Sequence, residues 1–209
     1  MLLLTVCAAP ACGDAIRVVK QTVALQEAFF RQIDRRSPTP QMRDRLRALA
    51  RSGAGDSVQT LVAHGLVRLD DATLIRRMEL MSVMLEESDV PICAAIARGT
   101  PGSGQMTLAM AELEGPDLDD WVGVLVEAQI AQLEQREVMF MRPAAAVHSI
   151  QAAIAALPDS DETRMGDVLG CFETASDADA CWAGRALFGQ GVALQDAERR
   201  AFARALVQP

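Results

Sequence analysis

Apolar residues between positions 71 and 87 recur at steps of three and four. They form one stripe, which consists of Leu74, Met78, Met81 and Leu85. A helix places residues three and four apart on the same face, so this spacing predicts an amphipathic helix. A helical period also runs through residues 14–34 and 118–137, and no β-type alternation extends beyond a few residues. The pattern predicts an all-α fold.

Proline, glycine and capping residues divide this pattern into segments. Asp14 is predicted to cap the first helix, and the turn Ser37-Pro38-Thr39-Pro40 ends it. Thr39 then caps a second helix that has Pro40 at its first position, where the missing N–H costs nothing. About nine helices result, which predicts a multi-helix bundle.

The stretch between residues 99 and 105 is the most linker-like part of the chain, with the sequence Gly-Thr-Pro-Gly-Ser-Gly-Gln. Gly and Pro interrupt helices most strongly. The helical domain of residues 14–209 is therefore predicted to be either one bundle with a long connection here or two packed sub-bundles that meet here.

Composition agrees with a helical globular protein. Half of the residues are hydrophobic, 23% are charged, 4% are aromatic, and tyrosine is absent. This hydrophobic content is enough for a packed core, and β-sheets normally contain more aromatic and β-branched residues.

Charge is distributed unevenly. The net charge is −8, but residues 1–51 carry nine basic and four acidic side chains, whereas the remainder carries 11 basic and 24 acidic ones. An acidic protein is not expected to bind nucleic acid or an anionic membrane surface nonspecifically. Either the basic N-terminal part lies on the protein's own acids, or it receives an acidic partner. The candidate interaction surface consists of Arg35, Arg36, Arg43 and Arg47.

Residues 1–13 are apolar and end in small residues, as the end of a secretory signal does. The junction Ala11-Cys12-Gly13 resembles the cleavage and lipidation site of bacterial lipoproteins, which makes Cys12 a candidate lipid anchor. Two features depart from that pattern, since no basic residue precedes the leucines and position 9 is Ala. The prediction is a periplasmic protein, or a membrane-anchored one that faces the periplasm. The alternative is an N-terminal arm of a cytoplasmic protein.

The cysteines bear on the same question. Cys171 and Cys181 are ten residues apart across a turn-rich stretch. In an oxidising compartment this spacing predicts a disulfide between two helix ends. Cys93 lies in an apolar helical segment and is predicted to be a buried thiol. Because no C-x-x-C pair occurs, a cysteine metal site is not predicted.

No catalytic, cofactor or metal motif is recognisable. His64 and His148 do not stand in a zinc-binding frame. Asp159-x-Asp161 begins like a calcium loop, but Arg164 takes the place of the required glycine. The other acidic clusters stand at predicted helix starts, where carboxylates are favourable without any ligand. We therefore predict no cofactor and no metal, and we favour a protein that is not an enzyme.

Methionine is unusually frequent, with ten residues. Met78, Met81 and Met84 share one predicted helix, while Met139 and Met141 flank Phe140. Such groups are typical of a core, but methionine also suits adaptable binding surfaces.

Two functional hypotheses remain. The first is a non-enzymatic interaction protein of the bacterial cell envelope, such as an adaptor, an inhibitor or an immunity-type protein, whose acidic surface covers a basic partner. The alternative is a small helical enzyme or ligand-binding protein whose site is assembled from distant residues, because a bundle can bring separate helices together.

Overall fold

Helices account for the regular structure of the protein. A computed structural model describes the backbone of residues 9–52 and 55–208, and the side chains of residues 22–52, 58–102 and 104–208. These described residues contain no strand and form eleven helices, which are α1 (Ala9–Arg36), α2 (Pro40–Arg51), α3 (Gly55–Leu66), α4 (Asp71–Glu87), α5 (Val90–Ala97), α6 (Ser103–Met110), α7 (Pro116–Leu133), α8 (Pro143–Ala155), α9 (Asp159–Gly170), α10 (Asp177–Ala193) and α11 (Asp196–Ala205).

The predicted all-α class is confirmed, but the count of about nine helices is too low. The predicted helix over residues 71–87 coincides with α4. Thr39 caps α2 as expected, because its hydroxyl accepts a hydrogen bond from the Met42 N–H at 3.1 Å. Asp14 does not cap the first helix, since α1 already begins at Ala9 and runs through that position.

The core is built around α4, which packs against α5, α6, α7, α10 and α11. All four residues of its predicted stripe are buried, and so are Leu80 and Met84. The largest apolar cluster takes side chains from helices on both sides of the 99–105 stretch. This stretch therefore connects two helices that share a core.

A disulfide joins Cys93 of α5 to Cys181 of α10, across a sequence separation of 88 residues. The predicted Cys171–Cys181 pairing is therefore wrong. Cys93 is buried as predicted, but it is part of a disulfide and not a thiol. Cys171 lies at the end of α9, is exposed and stays unpaired. Cys181 instead lies in the buried face of α10, and this face packs against α5.

Small residues let α5 and α10 approach closely beside this disulfide. A Cβ atom added to Gly184 would lie 2.7 Å from the Cβ of Ala97, which is closer than carbon atoms tolerate. Gly184 is one turn beyond Cys181, and Ala97 is one turn beyond Cys93. The covalent bond and the close contact therefore reinforce the same helix pair.

We expect Cys93→Ser/Cys181→Ser to destabilise the protein strongly. Cross-links that close loops of this length stabilise by about 4–5 kcal/mol, because they restrict the unfolded chain. Thermal unfolding of the oxidised wild type and the double variant measures the difference.

Cys171→Ser is the matched control and should unfold at the wild-type temperature. Peptide mapping of the non-reduced protein should recover Cys93 linked to Cys181. Recovery of a Cys171–Cys181 peptide instead would contradict the fold.

Candidate functional site

The candidate arginine surface is partly neutralised by the protein itself. Arg47 forms an ion pair with Asp34 at 2.6 Å, and Arg36 lies 3.8 Å from Glu127 of α7. Arg35 and Arg43 form no ion pair with the part of the chain that the structure describes. The four arginines therefore do not act as one free basic surface.

Charge complementarity within the chain involves further arginines. Arg31 of α1 pairs with Asp119 at the start of α7, at 2.9 Å. Arg76 of α4 binds Asp120 of the same helix, also at 2.9 Å. The Arg31 contact agrees with the interpretation that basic residues near the N-terminus lie on the protein's own acids, whereas Arg76 lies beyond residues 1–51.

The other candidate residues that the structure describes do not come together in a site. The side chain of Cys12 lies outside the described residues. His64 and His148 are exposed. Among the described residues, no group of three or more His, Cys, Asp or Glu side chains is arranged to hold a metal ion. The acidic clusters lie at helix starts, as predicted, and all their members are in first helical turns except Asp120, which follows the first turn of α7.

An exposed apolar segment separates α7 from α8. We call residues 136–142 the display segment; it is non-helical and contains Phe140, which is 79% exposed, and Met139, which is 48% exposed. By contrast, Met78, Met81 and Met84 are buried. Of the seven large apolar side chains that are exposed in the described part of the chain, three lie between residues 139 and 147. Exposed apolar side chains are therefore concentrated here.

Hydrogen bonds hold the backbone of the display segment in place. The Met139 N–H donates to the carbonyl of Val67 at 3.2 Å. The Met139 carbonyl accepts hydrogen bonds from Arg204 Nη1 at 3.3 Å and from Gln208 Nε2 at 3.2 Å. Arg68 donates to the carbonyl of Arg136. The exposed Phe140 thus follows a residue whose backbone is fixed on both sides.

Arg204 connects this segment to the start of α4. Its guanidinium is buried and donates to the Leu69 carbonyl at 3.1 Å as well as to the Asp71 carboxylate. Asp70 caps α4, and hydrogen bonds from Thr73 lower the pKa of its carboxyl group, with Arg204 contributing by its charge. A buried guanidinium with all of these acceptors is well compensated.

The chain leaves α7 through a left-handed residue. Gln135 has a φ of 51°, which is unfavourable for a residue with a side chain. The Arg136 N–H donates to the Ala131 carbonyl and the Gln135 N–H to the Gln132 carbonyl, at 3.0 and 3.1 Å. This is a Schellman motif in which glycine is the usual residue. The turn directs the chain into the display segment.

The sequence pattern pointed to Met139, Phe140 and Met141, but not to the residues that form hydrogen bonds with the Met139 backbone. The spacing of these residues does not distinguish a core segment from an exposed one. Arg204 lies more than sixty residues further along the chain, and its role depends on how α11 packs against α4 and α8. The sequence feature that could have indicated an exposed segment is the Met139-Phe140-Met141 cluster directly before Arg142-Pro143.

The sequence matches no protein-family model, and no curated protein or solved structure is significantly similar to it. Among the described residues, no helix combines the length and the apolar character needed to cross a membrane. The candidate site must therefore be judged on its own geometry.

Arg204→Lys tests whether this buried guanidinium orders the display segment. Lysine keeps the charge but cannot reach three acceptors with a planar fork. We expect the free energy of unfolding to fall by about 1–3 kcal/mol, and the Met139 amide to exchange its hydrogen faster than the loss of global stability explains. Denaturant unfolding and hydrogen exchange measure the two effects.

Arg200→Lys provides the control, because Arg200 is exposed on the same helix. Arg200→Lys should change neither the free energy of unfolding nor the exchange rate of the Met139 amide. If Arg204→Lys leaves Met139 exchange at the wild-type rate, the display segment is held by other contacts.

Proposed function

We propose that this protein is a non-enzymatic interaction protein of the bacterial cell envelope, which binds another protein through the display segment. The observation that carries the proposal is the exposure of Phe140 next to a backbone fixed by Arg204. An exposed large aromatic side chain lowers solubility without contributing to the core, so a partner that covers it would account for its presence.

The geometry is favourable for binding. Burying a phenylalanine side chain in a partner's pocket is worth about 1.5–3 kcal/mol. Aromatic residues at the centre of an interface are frequent binding hot spots. Because the backbone at Met139 is already ordered, less conformational entropy is lost on association than for a flexible loop.

The charge of the protein favours a basic partner. Five acidic side chains on and directly after α9 form no ion pair with the described residues, namely Asp159, Asp161, Glu162, Asp167 and Glu173. Unpaired acids attract a positively charged protein over several ångströms and speed its association. We therefore expect a partner with an apolar pocket for Phe140 and a positively charged surface elsewhere.

The disulfide supports the assignment to the envelope. Cys93–Cys181 is a buried link between two core helices, and structural disulfides of this kind persist in oxidising compartments such as the periplasm. The sequence around Cys12 agrees with delivery to that compartment. An adaptor, an inhibitor or an immunity-type protein would fit this location and charge.

Site-specific photo-crosslinking tests the proposed interface. A photoreactive phenylalanine analogue placed at position 140 should give a discrete crosslinked product in cells that produce the protein. The same analogue at Val23, which is also exposed, should not give that product. Excess wild-type protein should suppress the crosslink, whereas Phe140→Ala should compete at least about tenfold less well, given the loss of a buried aromatic contact.

Folding controls accompany this experiment. Phe140→Ala should unfold at the wild-type temperature, because the side chain contributes little to the core. Equal competition by Phe140→Ala and wild type would show that the segment is not the interface. A protein that stays monomeric and forms no crosslink at position 140 would oppose the proposal as a whole.

Cell fractionation tests the compartment separately. The protein should be recovered with the envelope fraction, and Cys93 and Cys181 should resist alkylation in intact cells until a reductant is added. Cys12→Ser should abolish incorporation of labelled fatty acid and release the protein from the membrane fraction. Recovery in the cytoplasm with reduced thiols would contradict the envelope assignment.

A further inference from the structure

An apolar cavity of about 410 Å³ lies between the central helices. It falls in the size range of ligand pockets, which is about 300–1,000 Å³. Its lining comes from α4, α5, α6, α9 and α10 together with Leu206 after α11. The disulfide-linked pair α5 and α10 supplies Ile96, Ala97, Ala183 and Gly184 to its wall. The cavity is therefore bordered by the disulfide-linked helix pair.

Arg77 is the one charged residue among the described residues that line this cavity; the others are apolar or glycine. Its Nε atom is buried and has no hydrogen-bond partner. The guanidinium faces the ring of Trp121, with 5.9 Å between Cζ and the ring centroid. Burial lowers the pKa of Arg77 to about 10, so the group stays positively charged at neutral pH.

This arginine contrasts with several other arginines whose guanidinium is held by oxygen atoms. Arg204, Arg185 and Arg98 all donate to carbonyl or carboxylate oxygens. The neighbouring Arg76 binds Asp117 and Asp120. Arg77 has no carboxylate, and the indole Nε1 of Trp121 is a buried donor that also lacks a partner. Two donors cannot satisfy each other, so an acceptor bound beside Arg77 would supply the hydrogen-bond partner that its Nε atom lacks.

We propose that this cavity binds a small amphipathic carboxylate, whose head group pairs with the Arg77 guanidinium and whose apolar tail fills the apolar part of the cavity beside α5 and α10. A guanidinium pairs with a carboxylate through two parallel hydrogen bonds. A phosphate dianion is disfavoured, because no second cationic side chain lines the cavity in the described residues. This site goes beyond protein binding through Phe140 and uses none of the display segment.

Isothermal titration calorimetry with a matched ligand series tests the proposal. The oxidised full-length chain is titrated with decanoate below its micelle concentration, and then with decanol and decylamine, which keep the tail but change the head group. Decanoate should bind with one-to-one stoichiometry. Decanol should bind about tenfold more weakly or worse, since it loses a charge-assisted hydrogen bond, and decylamine should not bind.

Variants assign the head-group contact. Arg77→Met should weaken decanoate binding at least about tenfold and bring it to the level of decanol. Arg200→Met removes the same charge from an exposed position and should bind like wild type. Ligand-free Arg77→Met should unfold at the wild-type temperature or above it, because the substitution removes a buried N–H donor that has no hydrogen-bond partner. Decanoate should raise the unfolding temperature of wild type but not of Arg77→Met.

Three results would overturn the proposal. These are equal affinity for decanoate and decanol, wild-type affinity in Arg77→Met, and no heat of binding for any of the three ligands. If Arg77→Met does not fold, decanoate, decanol and decylamine are titrated into the wild type and into Arg77→Lys instead. Both proteins keep the positive charge, so the comparison of the three head groups then tests the proposal.

Discussion

The contact between α5 and α10 is the constraint on which the rest of the structure depends. Cys93 and Cys181 connect parts of the chain separated by 88 residues, and Gly184 allows the two helices to touch one turn further on. Once this pair is fixed, α10 also packs along α4, and α4 receives α7 and α11. Short helices such as α5, with eight residues, are marginal alone and need such tertiary support.

Arginine side chains in this arrangement donate hydrogen bonds to backbone carbonyls near the helix ends. Arg185 of α10 donates to the carbonyls of Leu85, Glu86 and Ser88, which are left free where α4 ends. Arg98 similarly binds the Ala175 carbonyl and Asp177 at the start of α10. A planar group with five donors can satisfy several such oxygens at once, and the positive charge is favourable at the carboxyl end of a helix. The abundance of arginine in the sequence therefore has a structural explanation at these positions.

Local information predicted the all-α class and several helix boundaries. The period of three and four found α4 to the residue, and Thr39 and Pro40 fixed the start of α2, because caps and helical faces depend on neighbours within a few positions. Cysteine pairing could not be predicted in this way. The choice of Cys171 for Cys181 followed from short spacing, whereas the true pairing follows from which face of α10 meets α5. The anchors of Met139 and the isolation of Arg77 depend equally on distant helices.

Three features contradict the local preferences that the rest of the chain obeys. Phe140 is exposed, Gln135 adopts a conformation that favours glycine, and the buried Nε atom of Arg77 lacks an acceptor. Each of these costs free energy, and conflicts of this kind tend to occur where function opposes stability. Gln135 and Phe140 belong to one turn and the segment that follows it, which favours a single explanation for both. Arg77 lies in a separate cavity and needs its own explanation, since covering Phe140 with a partner would give its guanidinium no acceptor.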